Sequence, residues 1–152
     1  YSGFRSVGFH PLRGVRVEPD GTLQSVDTFN GNLVFVPMKV ARALGGIDGS
    51  LSHFGADTDY GLRVRERGFE LLLLPRIVGS CAQNPVCPPG ATMEDWRTFI
   101  GVKGGGNYNT LRRILRKRHP HTWFGYIALT YSHWWARRLP QIIPMPGRRR
   151  YR

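Results

Sequence analysis

Residues 54–68 read FGADTDYGLRVRERG, and the mostly apolar run FELLLL comes at once after them over 69–74. No other stretch limits the fold as much. Asp57 and Asp59 stand where a helix should begin, because carboxylates are favoured beside the unpaired N–H groups of a first turn. The spacing predicts a helix over 57–67, with Tyr60 and Val64 on one face and Arg63 and Arg67 on another. Gly68 suits the C′ position, where a left-handed residue closes a helix. The run 69–74 lacks alternation and is expected as a strand covered on both faces, ending at Pro75. A punctuated helix followed by a buried strand is a unit of α/β type.

Upstream, short strands are expected near Gly14–Val17 and Thr22–Val26, separated by the turn residues Pro19, Asp20 and Gly21. The run LVFV, residues 33–36, reads as a central strand. Pro37 suits the first position of a helix over 38–44, and Gly45-Gly46 stops it. Strand, helix, helix, strand is the order that one edge of an α/β sandwich requires. Downstream, residues 93–100 fit one or two helical turns, and GVKGGGNYN over 101–109 reads as a mobile loop. That loop lacks the GxxxxGK[ST] order of a phosphate-binding loop. Basic and aromatic-rich helices are then expected over 110–119 and 122–139, with a disordered basic tail over 140–152. These shifts divide the chain into segments 1–95, 96–139 and 140–152.

Charge is as uneven as pattern. The chain of 152 residues carries a net charge of +12. Residues 1–95 hold nine Lys and Arg against ten Asp and Glu, whereas 96–152 hold thirteen Lys and Arg and no acid. So basic a half attracts phosphate, either of an anionic membrane or of nucleic acid. Arg112, Arg113, Arg116, Lys117 and Arg118 crowd the first of the two helices, and Trp134 and Trp135 lie near the end of the second. Tryptophan, tyrosine and arginine flanking an apolar helix suit a membrane–water interface. They equally suit a helix that fills its own core with aromatics. No run of eighteen apolar residues spans a bilayer. No signal peptide is visible, and the chain opens on Tyr1 without a starting methionine, as expected of a fragment or a processed chain. Cys81 and Cys87 lack CxxC spacing and are expected as reduced thiols in a cytosolic setting.

Chemistry, if present, belongs at the mouth of the unit around Asp57. Two positions apart on a helix, Asp57 and Asp59 point about 200° apart. One can face a cleft while the other holds the loop. The residue pattern leaves a purely capping role open for both. His53 could contact a phosphate or a sugar hydroxyl. Asn30-Gly31-Asn32 could line a cleft, because glycine lets backbone approach a ligand, or could serve as a turn. No His and Cys cluster has zinc-site spacing, and no metal site is assigned.

The segments FNGNLVFVP (29–37), ALGGIDGSLSHFGADTDYGLRVRERGFELLLLP (43–75) and VGSC (78–81) resemble the C-terminal half of a bacterial family 2 glycosyltransferase. The nearest branch is that of rhamnosyl- and galactofuranosyl-transferases of cell-surface glycans. The resemblance is most specific over residues 27–84. It implies an α/β fold, the C-terminal portion of a Rossmann-like glycosyltransferase A-type (GT-A) domain. It also implies a nucleotide sugar donor, Mg²⁺ or Mn²⁺ in the complete enzyme, and a glycan or lipid-linked acceptor. Gly55 to Asp59 match the family's G-[E/A]-D-x-D motif, which makes Asp57 the general base and gives Asp59 a loop-organising or acceptor-holding role. Gly31 and Asn32 match the acceptor side of the cleft, and Gly61, Leu62 and Arg63 match the helix that carries the base. Arg63 and His53 are secondary acceptor-side candidates. Cys81 stands near the place where many relatives carry a metal-binding histidine. The family's nucleotide pocket and first DxD motif have no counterpart in these residues, so the missing half is expected to complete the enzyme. A peripheral position on the inner membrane face is expected with it. The alternatives are a nucleic-acid-binding basic protein, for which no RRM, KH or zinc-finger pattern is present, and a noncatalytic membrane-associated remnant of a transferase.

Overall fold

A glycine at position 3 lets its strand approach Val26 closely, since a Cβ there would lie 2.6 Å from Val26 Cγ1. A computed structural model of the protein describes residues 2–51, 55–80 and 92–138. Strands β1 (Gly3–Ser6), β2 (Gly14–Arg16) and β4 (Thr28–Phe29) form one antiparallel sheet in the order β2-β1-β4. Strands β3 (Gln24–Val26) and β5 (Leu71–Leu73) form a second antiparallel pair, with Ser25 opposite Leu72. Helices α1 (Met38–Leu44) and α2 (Ala56–Glu66) complete this part of the chain. Further on come α3 (Met93–Ile100), α4 (Tyr108–Arg118) and α5 (Trp123–Ala136). The chain is thus mixed α/β, with two small sheets and five helices among the described residues. It divides into two compact units, Tyr1–Gln83 and Asn84–Arg152.

In the first unit α2 packs on β4, β5 and α1. Its glycine makes the β4 contact close: a Cβ on Gly61 would lie 2.6 Å from Thr28 Oγ1 and 3.0 Å from Thr28 Cα. Thr28 Oγ1 donates to the Thr58 carbonyl at 3.1 Å, and the Phe29 and Tyr60 rings meet edge-on at 6.5 Å. Val26, Tyr60 and Val64 are buried there. The helix ends as its sequence requires. Gly68 has φ +77°, its N–H donates to Arg65 O at 2.8 Å, and Phe69 N donates to Val64 O at 3.1 Å. That pair of bonds is a Schellman closure.

Two expected features of this unit are not found. LVFV over 33–36 is irregular rather than a strand, and it is open to solvent, with Leu33 62% and Phe35 78% exposed. With Pro37, Val40, Tyr60 and Val64, its residues Val34 to Val36 line a pocket of about 140 Å³ instead of joining a ladder. The strand at 71–73 is covered on neither face completely, since Leu72 is 54% exposed. Apolar composition without alternation specifies burial only if a second layer arrives, and none covers Leu72 among the described residues. All three ladders are antiparallel, so the parallel pairing on which a Rossmann-like sheet is built is not among the described strands.

The second unit is helical. Thr92 caps α3 reciprocally with Asp95, a capping box. Trp96 and Phe99 of α3 then pack on α5. Trp96 lies 5.2 Å from the Tyr131 ring, 5.1 Å from Trp134 and 5.4 Å from Trp135, and Phe99 stacks on Trp134 at 5.4 Å. Such ring pairs add to the area they bury, at roughly 1 kcal/mol each. A boundary at 95/96 would cut α3 in two, because Trp96 and Phe99 bind that helix to α5. Leu111, Ile114 and Leu115 on α4 are buried, and α4 packs on α5.

The glycine-rich stretch between α3 and α4 is a set of hydrogen-bonded turns rather than a mobile loop. Gly104 N donates to Gly101 O at 2.9 Å and Gly106 N to Phe99 O at 2.9 Å. Asn107 caps α4 by accepting from Thr110 N, while its amide donates to Ile100 O and Gly101 O. A Cβ on Gly104 would sit 1.9 Å from Phe99 O, and one on Gly106 2.3 Å from the Phe99 ring. The glycines are there for close approach, not for freedom. Tyr131 of α5 fastens the turn by donating its hydroxyl to Gly106 O at 2.9 Å.

This packing sets two expected outcomes. Gly104→Ala forces a methyl against backbone and should cost about 2–3 kcal/mol, read as a lowered midpoint in urea unfolding. Burial, and to a lesser degree Tyr108, raises the Tyr131 phenol above its ordinary value of 10.0. The stability it contributes is complete below the unfolded value and is lost as pH climbs through the raised folded one. Tyr131→Phe should therefore flatten part of the alkaline fall in stability, and the late-titrating phenolate absorbance should vanish with it.

Candidate functional site

The site is built at the start of α2. Gly55 precedes the helix with φ +83°, a conformation that glycine adopts without strain, and its carbonyl accepts the first helical bond from Asp59 N at 2.8 Å. This is why a glycine opens the G-A-D-x-D stretch. The first turn of the helix then sends the two acids to different sides, as their spacing predicts.

Asp59 points inward. Its side chain is fully buried, and Oδ2 accepts from Arg63 Nε at 2.9 Å across one helical turn. Arg63 uses its other nitrogens on the end of α1. Nη1 donates to Leu44 O and Nη2 to Gly46 O, both at 3.0 Å. Arg67, one turn further along the chain, donates to Ala43 O at 3.2 Å. Two arginines thus satisfy carbonyls at the C-terminal end of α1. The Arg63 side chain is 19% exposed and lies against the Tyr60 ring at 5.1 Å. Each of its three nitrogens makes one hydrogen bond within the chain, so Arg63 has a structural part in joining α1 to α2. Asp59 is closed to solvent.

Asp57 points the other way and remains half-exposed. Its Oδ2 accepts from Gly31 N at 3.0 Å, and its Oδ1 from Thr58 N at 2.8 Å. Residues 26 positions apart are brought together by the first of these bonds. A carboxylate offers about four acceptor positions, so about two remain for a hydroxyl arriving from solvent. Gly31 itself packs on the Phe29 ring, 3.3 Å from where its Cβ would lie. Asn32 comes next at the surface. Asp57, Gly31 and Asn32 therefore share one exposed edge, while Arg63 and Asp59 lie under it. His53, Cys81 and Cys87 fall outside the described residues.

The two aspartates do not form a joint site for a divalent cation. Such an ion needs several convergent oxygens, whereas Asp59 is buried and turned onto Arg63, away from Asp57. No group of three His, Cys, Asp or Glu converges among the described residues. One supporting residue escaped sequence reasoning: Asp27, whose carboxylate takes Ser6 N at 2.6 Å and pairs with Arg65 of α2. Its only sequence signal was an acid next to a strand, which is too common to single out.

The basic residues divide in the same way. Arg112, Arg113, Arg116 and Lys117 are exposed on α4, opposite its buried leucines, whereas Arg118 is half-buried and donates to Ile114 O. Trp134 is only 5% exposed, with the Arg138 guanidinium 4.1 Å above its ring, and Trp135 is half-buried against both Trp134 and Trp96. Trp134 is therefore a core residue, and Trp135 lies at the margin of the same aromatic cluster. The indoles are drawn inward because Trp96 and Phe99 of α3 supply partners that a helical wheel of α5 alone does not show. No helix among the described residues is long and apolar enough to cross a membrane. Comparison with protein-family models, with curated proteins and with solved structures finds no match.

The separation of the two acids has a direct consequence. Asp59→Ala strands the Arg63 charge against α1 and should lower stability by about 3 kcal/mol. Asp57→Asn, at the surface edge, should change it by less than about 1 kcal/mol. Chemical unfolding of the two variants side by side checks the contrast.

Proposed function

We propose that residues 1–83 are the acceptor-side portion of an inverting glycosyltransferase, with Asp57 as general base. The observation that carries the reading is the Asp57 carboxylate, half-exposed at the start of α2 and anchored at 3.0 Å to the N–H of Gly31. The two motifs on which the resemblance rests, Gly31-Asn32 and Gly55–Asp59, meet at that bond. The buried Asp59–Arg63 pair beneath it fixes the backbone from which Asp57 projects, as a proton acceptor requires.

In this reading a hydroxyl of a glycan or lipid-linked acceptor hydrogen-bonds to Asp57. As its oxygen attacks the anomeric carbon of the nucleotide sugar, Asp57 takes the proton. The new carbon–oxygen bond forms while the bond to the diphosphate breaks, and the electron pair leaves on the diphosphate oxygen. Attack from the opposite face inverts the anomeric centre. Donor binding falls to residues other than those described. It places the enzyme at an anionic membrane face, where lipid-linked acceptors reside.

The test is transfer of rhamnose or galactofuranose from the nucleotide sugar to a lipid-linked glycan by the complete, active enzyme. Asp57→Asn should lower kcat by about 10²–10⁴-fold while circular dichroism and the unfolding midpoint stay near wild type. Turnover close to normal in a folded Asp57→Asn protein would remove Asp57 from the mechanism.

A further inference from the structure

Among the described residues, the densest positive charge lies on one helix face. On α4, Arg112, Arg113, Arg116 and Lys117 recur at the spacing of a single stripe, and all four are exposed. The opposite stripe, Leu111, Ile114 and Leu115, is at most 2% exposed. Helix α4 therefore presents its cations outward as a fixed row. The second unit holds only two acids, Glu94 and Asp95, both at the start of α3, against thirteen Lys and Arg.

An apolar point stands beside that row. The Arg112 guanidinium lies 5.8 Å from the Trp123 ring, and Trp123 meets Phe124 edge-on at 6.1 Å. Phe124 at the start of α5 is 64% exposed. Ala128, one turn further on the same face, is exposed too. A large ring left in water next to a row of cations is unfavourable by itself. It becomes favourable where an apolar phase lies just beneath a layer of negative charge.

We infer that the second unit docks on an anionic lipid surface through the outward face of α4 and Phe124 of α5, with Trp134 and Trp135 taking no part. The cations sit at headgroup level and Phe124 enters the acyl boundary. A nucleic-acid duplex offers the phosphates but keeps its bases stacked away from Phe124, whereas a bilayer offers charge and an apolar phase together, and lipid is the better match. The inference rests on the membrane part of the proposed function and not on its transfer chemistry.

The experiment is cosedimentation of the full chain with phosphatidylcholine vesicles prepared with and without phosphatidylserine. Wild type should bind only the phosphatidylserine vesicles, and added salt should weaken binding. Each cation near the surface is worth about fivefold, the equivalent of roughly 1 kcal/mol. The combined variant Arg112→Gln, Arg113→Gln, Arg116→Gln and Lys117→Gln should therefore lose at least about a hundredfold in affinity. Phe124→Ser, a milder change that tests the apolar point alone, should lose about tenfold. Asp57→Asn should bind vesicles like wild type, so failure of docking and failure of the transfer reading show up in separate assays. Binding that ignores phosphatidylserine, or that survives the combined variant, overturns the inference. So does an RNA or DNA oligonucleotide that binds the chain and is not displaced by phosphatidylserine vesicles.

Discussion

The first unit depends on one buried charge pair. Asp59 has no access to water, and its carboxylate is balanced by Arg63 one turn along α2. A buried carboxylate without that partner would be strongly destabilising. The partner does more than neutralise it. With its remaining nitrogens Arg63 reaches the carbonyls of Leu44 and Gly46 and ties the end of α1 to α2. One guanidinium thus satisfies a carboxylate and two carbonyls, and its planar fork is suited to the task in a way that a lysine ammonium is not.

From that anchor the exposed edge is positioned. With α2 held on the α1 side by Arg63 and Arg67, the glycine at 61 lets its other side settle on Thr28 of β4. The backbone just beyond β4 then passes Asp57 closely enough for Gly31 N–H to reach its carboxylate. Asp57 and Asp59 differ by two positions and by one environment. The same helix makes one a core residue and leaves the other available to solvent. That division suits a base supported from below, and it argues against reading the pair as a joint metal clamp.

The second unit rests on aromatic packing and on glycine used for contact. Phe99 near the end of α3 lies against Gly104 and Gly106, and Trp96 meets three rings of α5. These contacts draw Trp134 and Trp135 inward and leave the α4 cations and Phe124 outside.

Much of the local structure was legible from residue order. Pro37 and Gly45-Gly46 bound α1, and Gly68 closes α2, because capping and left-handed backbone are decided within a few residues. The angular separation of Asp57 and Asp59 was likewise a matter of helix geometry, and the acid-free basic half a matter of composition. The meeting of distant segments was not legible. LVFV has the composition of a central strand but lines a pocket, because strand formation needs a partner that composition cannot supply. Three glycines read as slack, yet the turns they form pack on α3, Gly104 against the Phe99 carbonyl and Gly106 against the Phe99 ring. The partner of Asp59, the neighbour of Asp57 and the burial of Trp134 were all decided by tertiary structure. Each depends on which groups meet in space, and local propensity carries no record of that.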